Sequence, residues 1–236
     1  MSYSRIPAAA LTLAFMATPL SAAEQSYDLS GFTNVSVERG IDVTLTTGTP
    51  FQVTAEASRG ALLEEMQIFL RGDTLVISRD ADGSFSVTGL VGRYHVTVSM
   101  PGLEDLETMS GAEVVGVLGE GPRVALRVTA SSGSQIALSG LSVDALSVSA
   151  SSGSQVDLAG SCADVQMDAS TGAGIDGDRL SCARADLRAS SGANIDLAVT
   201  DRLKGRVSGG GDIDITGAPE IESLHESSGG DVSISN

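Results

Sequence analysis

The sequence predicts an all-β fold, a right-handed parallel β-helix (β-solenoid) with about 20 residues per coil, and three observations lead there. A step of the type Ser-Gly-x-x-Val/Ile recurs seven times, with Thr171 and Gly209 in the place of the serine in two copies. Apolar residues alternate with polar ones on both sides of that step, and a period of two means strand. The composition has 28 glycines, no tryptophan and 42% hydrophobic residues, which suits many short strands joined by tight turns.

The first 23 residues stand apart from the fold. Arg5 is their only charge, an apolar run follows from Ile6 to Ala17, and Ser21-Ala22-Ala23 is a small-x-small cleavage pattern. That is the layout of a secretory signal peptide, with an apolar core too short to span a membrane. The expected cut follows Ala23, with no cysteine nearby for a lipid anchor and no transmembrane segment in the mature chain. The expected location is periplasm, cell surface or secreted.

Residues 24–100 read as irregular N-terminal β coils that cap the solenoid. Val35–Val37, Ile41–Leu45, Gln52–Glu56, Thr74–Ser78 and Arg93–Met100 alternate as strands, while Gly60–Leu70 carries a helix-like pattern in Leu62, Leu63, Met66 and Phe69. Arg71-Gly72-Asp73-Thr74-Leu75 echoes the turn-plus-apolar step, with Leu75 about two periods before Val114. An end coil needs a cap because an open strand edge invites aggregation. A separate small β domain is the alternative.

Residues 101–236 form the repeat region. Seven gap-free 14-residue windows end at Val114, Ile136, Val156, Ile175, Ile195, Ile213 and Val232, spaced 22, 20, 19, 20, 18 and 19. Two or three short strands with one apolar side cannot bury a core alone, so successive coils must stack. At about 4.8 Å per coil, seven coils would span roughly 34 Å. The glycine three residues before each window end supplies a positive-φ corner. Ser132, Ser152, Thr171 and Ser191 share a column that predicts a hydroxyl ladder, and Ala130, Ala150, Ala169 and Ala189 are small enough to close the corner. Leucine-rich, calcium-binding nonapeptide and hexapeptide repeats fit the spacing or composition less well. An open antiparallel β-sandwich is the runner-up.

With these pieces in place the chain resembles the putative autotransporter adhesin, head GIN domain family. The resemblance rests on Phe32-Thr-Asn-Val-Ser-Val, Gly40-Ile-Asp-Val-Thr-Leu, Gly72-Asp-Thr-Leu-Val-Ile and His95-Val-Thr-Val-Ser-Met-Pro101. It continues through the repeated step to Ser208-Gly-Gly-Gly-Asp-Ile-Asp-Ile and Ser228-Gly-Gly-Asp-Val-Ser-Ile. It spans about residues 29–236. It implies a β-solenoid exported to a bacterial envelope, of unknown function, with no catalytic residue to carry over.

Without Arg5 the chain carries 13 basic and 30 acidic side chains, a formal charge of −17. That opposes nucleic acid and anionic lipid. Catalysis by a nucleophile needs a nearby base. The only histidines, His95 and His225, read as strand or surface residues, and no GxSxG elbow occurs. The leading expectation is a non-enzymatic exported module for adhesion or scaffolding whose partner is an envelope or surface protein or a glycan. No cofactor is expected. A polysaccharide lyase or hydrolase is the alternative, with Arg123, Arg127, Arg184, Arg188, Arg202 and Arg206 as candidate basic residues. Residues 101–236 lack any aromatic side chain to stack on a sugar. An envelope-stress or signalling accessory protein is a third.

Two columns carry further expectations. Asp157, Asp176, Asp196 and Asp214 each follow a window-ending Val or Ile. In register they would form a carboxylate ladder whose neighbours repel by about 0.9 kcal/mol in water. Such a ladder either binds a hard cation such as calcium or keeps the face from aggregating. Cys162 and Cys182 lie 20 residues apart at the first position of two windows. Stacking brings them within reach of a disulfide, and an exported chain meets an oxidising compartment.

Overall fold

The computed structural model describes residues 23–58, 60–80, 93–119 and 123–235. Of the expected signal segment only Ala23 falls within them. The strands, in chain order, are β1 (Ala23–Tyr27), β2 (Asn34–Glu38), β3 (Asp42–Thr47), β4 (Gln52–Ala57), β5 (Met66–Arg71), β6 (Thr74–Arg79), β7 (Tyr94–Met100), β8 (Asp105–Met109), β9 (Glu113–Val117), β10 (Arg123–Ala130), β11 (Gln135–Ala150), β12 (Gln155–Ser170), β13 (Gly174–Ser190), β14 (Asn194–Ser208), β15 (Asp212–Thr216), β16 (Glu220–Glu226) and β17 (Asp231–Ser235). A single helical turn, α1 (Gly60–Leu63), sits between β4 and β5.

From β8 onward the coils stack in parallel, as a β-solenoid and not as the antiparallel sandwich. Each coil has two broad faces. Face A is built from β10, the second halves of β11 to β14, and β16. Face B is built from β9, the first halves of β11 to β14, β15 and β17. Between them a short third segment aligns Val143, Cys162, Cys182 and Val199.

The seven window-ending residues form one column: Val114 pairs with Ile136, then Val156, Ile175, Ile195, Ile213 and Val232 follow coil by coil. All but Val232 are buried. Opposite them Leu126, Leu146, Val165, Ala185 and Leu203 fill the core from face A, with Val128, Val148, Met167 and Leu187 beside them. The alanine column Ala130, Ala150, Ala169 and Ala189 is buried in register where the chain turns from face A to face B.

The turn itself differs from expectation. Not only the glycine but the residue before it has positive φ: Ser132 at 55° and Gly133 at 71°, Ser152 at 54° and Gly153 at 70°. Ser134 N–H bonds Ser131 C=O at 3.3 Å, which makes this a type I′ turn. Turns of neighbouring coils are tied by backbone, since Gly133 N–H donates to Ser152 C=O and Gly153 N–H to Thr171 C=O, both at 3.1 Å. Ser132, Ser152, Thr171 and Ser191 point their side chains to solvent. The buried hydroxyls are two residues further on. Ser134 Oγ donates to Thr108 C=O at 3.1 Å, and Ser154 Oγ to Ala130 C=O at 3.0 Å. The hydroxyl ladder is therefore displaced from the predicted column, because a positive-φ corner turns that column outward.

The N-terminal part departs further. β2 pairs with β6 on one side and β8 on the other, and β3 lies between β7 and β9. The coil made by β6 and β7 thus stacks outside the earlier coil of β2 and β3, and spatial order is not chain order. Leu75 pairs with Val35 on face A; it is Val96 and Val43 that extend the Val114 column. The helix-like stretch Gly60–Leu70 yields only one helical turn. From Met66 the chain is strand β5, antiparallel to β6, because Gly72-Asp73 closes a hairpin. β4 runs antiparallel to β7 and β1 antiparallel to β4, so this end of the stack finishes in antiparallel strands. At the other end β16 and β17 are parallel edge strands, with Ile221 and Ile234 exposed.

Candidate functional site

Charge is divided between the two faces. The face-B strands β1, β3, β4, β7, β9, β15 and β17 and the first halves of β11 to β14 contain a single lysine or arginine, the exposed Arg179 of β13. Face A carries Arg127, Arg184, Arg188, Arg202, Lys204 and Arg206, and meets most of them with carboxylates. Arg184 grips Asp164 of the preceding coil with two parallel bonds, Nε to Oδ1 at 2.5 Å and Nη2 to Oδ2 at 2.6 Å. That bidentate contact holds the Asp164 carboxyl below its ordinary pKa. Arg188 spans Asp168 at 3.3 Å and Asp186 at 3.1 Å. Glu222 receives Lys204 at 2.9 Å and Arg202 at 3.5 Å, with Lys204 chiefly lowering its pKa.

Along the leading ends of the face-A strands runs a groove of about 1070 Å³. Its floor is shallow where Ala125, Ala145 and Ser147 stand outward, and the ion pairs of Asp164, Arg184, Arg202, Lys204 and Glu222 continue it toward the C-terminal edge. The other end is walled by Pro101, Leu103, exposed Val124 and Phe51, with Phe32 packed against Phe51 at 4.8 Å between ring centroids. Asp105 lines this end, and burial raises its carboxyl pKa while Arg127 at 4.0 Å partly offsets it. The groove crosses the strands, so an occupant would meet side chains of several coils and could not add a strand to the sheet.

On face B the carboxylate ladder is in register: Asp157 lies beside Asp176, Asp176 beside Asp196, and Asp196 beside Asp214. The side chains find local partners. Asp176 Oδ1 accepts the Asp178 N–H at 3.1 Å, and Asn194 donates to Asp196 at 3.3 Å. Burial raises the Asp196 pKa, and the charges of Asp178, Asp214 and Asp176 add to it. Among the described residues no group of three or more His, Cys, Asp or Glu side chains is arranged to hold a metal ion.

The profile of the family described as "Putative auto-transporter adhesin, head GIN domain" matches residues 31–219. The chain belongs to this family. No curated protein matches it. Its fold is shared by a putative adhesin from Bacteroides fragilis NCTC 9343, at a TM-score of 0.81 and 16% identity over 91% of this chain and 97% of that one. A putative lipid binding protein from Parabacteroides distasonis ATCC 8503 follows at 0.68 and 16%, over 91% and 97%. A putative adhesin from Parabacteroides merdae ATCC 43184 gives 0.65 and 14%, over 91% and 96%. The family supports an adhesion role.

In this head GIN domain Cys162 and Cys182 are register partners on adjacent coils, both buried, with Cα atoms 4.5 Å apart and the two sulfur atoms in contact. His95 stands on face B, 3.3 Å from Thr44 Oγ1, while His225 is exposed on face A beside Arg206. The two are not brought together. Of the arginines singled out from the sequence, Arg127, Arg184 and Arg202 line the groove, while Arg188 and Arg206 flank a smaller cleft nearer the turns. Residues 101–236 hold no aromatic side chain, and Phe51 brings one to the groove from the N-terminal part. It reaches the groove because β2 and β3 stack directly under β8 and β9. Among the described residues no helix is long and apolar enough to cross a membrane.

Proposed function

We propose that this chain is an exported, non-enzymatic surface module that binds an extended surface partner, glycan or protein, along face A. The groove of about 1070 Å³ carries the reading. It combines a shallow floor, an apolar end and a lattice of matched charges, which offers both packing and hydrogen bonds to a partner lying across the coils. Family membership supports the adhesive role. The predominantly acidic face B would keep copies apart, and the antiparallel strands β1, β4 and β5 would cap the N-terminal end. Export would follow from cleavage after Ala23, leaving Glu24–Tyr27 to pair with β4.

The test is binding of the purified, labelled protein to glycan arrays and to bacterial and host cell surfaces. Binding should be lost in an Arg184→Glu, Arg202→Glu variant and kept in an Asp157→Asn, Asp176→Asn variant of face B. Equal loss in both would sink the assignment of the face. Turnover of any acidic glycan, read as unsaturated uronate or new reducing ends, would overturn the non-enzymatic reading. N-terminal sequencing of the protein from an envelope fraction tests the cut.

A further inference from the structure

We propose that Arg206, with the hydroxyls of Ser190 and Ser208, forms a binding site for a single sulfate or phosphate ester group carried by an otherwise uncharged partner. The site is separate from the groove and does not depend on the adhesive reading. It begins from an imbalance. Arg127, Arg184, Arg188, Arg202 and Lys204 each have a carboxylate within 4.0 Å. Arg206 faces outward in the same sheet, and among the described residues no carboxylate lies within that distance of it. Among the described residues Arg79 on β6 also lacks a carboxylate but donates to the Arg39 carbonyl and lies over the Tyr94 ring, whereas of the face-A cations of β11 to β14 Arg206 is the one left unmatched.

Its surroundings explain the vacancy in the pairing. The register places Arg206 beside Arg188 on one coil and His225 on the next. Arg188 is already held by Asp168 and Asp186. The adjoining outward column is Ser170, Ser190 and Ser208, and both columns line a cleft of about 400 Å³. Among the described residues the hydroxyls of Ser190 and Ser208 make no side-chain hydrogen bond, their carbonyls being taken by Ala193 and Gly211 N–H at 3.3 and 3.2 Å. The unpaired Arg206 guanidinium and two free hydroxyls thus line one cleft, whose other charged side chains, Asp168 and Arg188, are paired with each other. Guanidinium forks and hydroxyl donors match the acceptor oxygens of a tetrahedral oxyanion. The net charge of the chain opposes a polyanion, so the group that fits is a lone ester on a neutral scaffold.

The experiment is NMR titration of the full protein with inorganic sulfate, inorganic phosphate, a sulfated monosaccharide and its unsulfated parent, each against sodium chloride at equal ionic strength. Saturable movement of the Arg206 Nε–H and the Ser190 and Ser208 amide signals is expected with the sulfated sugar and not with its parent. The two inorganic ions separate recognition of the oxyanion alone from recognition of the sugar that carries it, and either pattern supports the site. Arg206→Gln should weaken binding at least tenfold, and Ser190→Ala with Ser208→Ala severalfold, while Arg179→Gln, at an exposed arginine outside both clefts, leaves it unchanged. An equal response to chloride would overturn the site. So would unaltered binding in both the arginine and the double serine variants, each checked for fold by circular dichroism.

Discussion

Cys162 and Cys182 hold the same position on two adjacent coils, paired in register with Cα atoms 4.5 Å apart. That separation lies within the range a disulfide accepts. A bridge here closes a loop of 20 residues and ties β12 to β13. On the chain-entropy estimate it stabilises by about 3 kcal/mol, or roughly 6–12 °C in a domain of this size. Protein purified from an oxidising compartment and alkylated without reductant should show neither thiol modified by mass spectrometry, and should melt lower by that margin after reduction. Two alkylated thiols in the unreduced sample would refute the bridge.

The turn at Ser152-Gly153 holds a non-glycine residue at φ 54°. Such a residue is strained by about 1 kcal/mol, and asparagine tolerates the conformation best after glycine. Type I′ turns favour Asn-Gly for that reason. Ser152 is exposed and its backbone, not its hydroxyl, joins the neighbouring coil through Gly133 N–H. Ser152→Asn should therefore raise stability by a few tenths to about 1 kcal/mol, seen as a higher urea midpoint at unchanged slope. A lower midpoint would mean the hydroxyl has a role that the stacked turns do not reveal.

Much of the solenoid was legible in the sequence because its contacts repeat. A period of two tells which residues face inward, and an interval of 19 or 20 between Ile136, Val156, Ile175 and Ile195 tells which stack. Alternation marks β6 and β7 as strands, but the interval says nothing of their stacking, because their partners β2 and β3 precede them by tens of residues with no repeated spacing. The helix-like pattern of Gly60–Leu70, set by the helical spacing of Leu62, Leu63, Met66 and Phe69, holds for one turn only, because pairing with β6 makes a strand from Met66 onward. Backbone sign at Ser132 was hidden because serine has no strong preference that marks it. The groove was only partly visible: its arginines stood out, but Phe51 joins them through tertiary stacking alone.

Asp196 predicts a pH dependence with a definite sign. Burial, and then the charges of Asp178, Asp214 and Asp176, raise its pKa above the ordinary value of 3.8, against the hydrogen bond from Asn194. A carboxyl raised in the folded state favours folding when protonated, and that contribution is lost as pH rises through the folded value. At pH 7 its charge therefore opposes folding. Asp196→Asn should stabilise the protein at pH 7, and the gain should vanish below about pH 4, where the aspartate is protonated in both states. Urea denaturation at pH 7 and pH 3.5 measures it. A gain of equal size at both values would show that charge is not the cause.

Two glycines of one coil should respond very differently to the same substitution. Gly153 sits at φ 70° on the outer turn, and a Cβ there would meet no atom within 4 Å. Gly160 sits at φ 141° where face B bends into the short third segment, and a Cβ there would overlap the Leu141 carbonyl and lie 2.6 Å from the Leu141 nitrogen. Leu141 is buried on the preceding coil and is the register partner of Gly160, so neither backbone can retreat without breaking the ladder. Gly153→Ala should cost only the backbone strain of about 1 kcal/mol. Gly160→Ala adds overpacking to that strain, for a cost of roughly 3 kcal/mol or more. Denaturant midpoints of the two variants, measured side by side, check the difference. Equal losses would mean that coil spacing at Leu141 relaxes freely, and the close approach of the two coils would then not be what requires glycine at position 160.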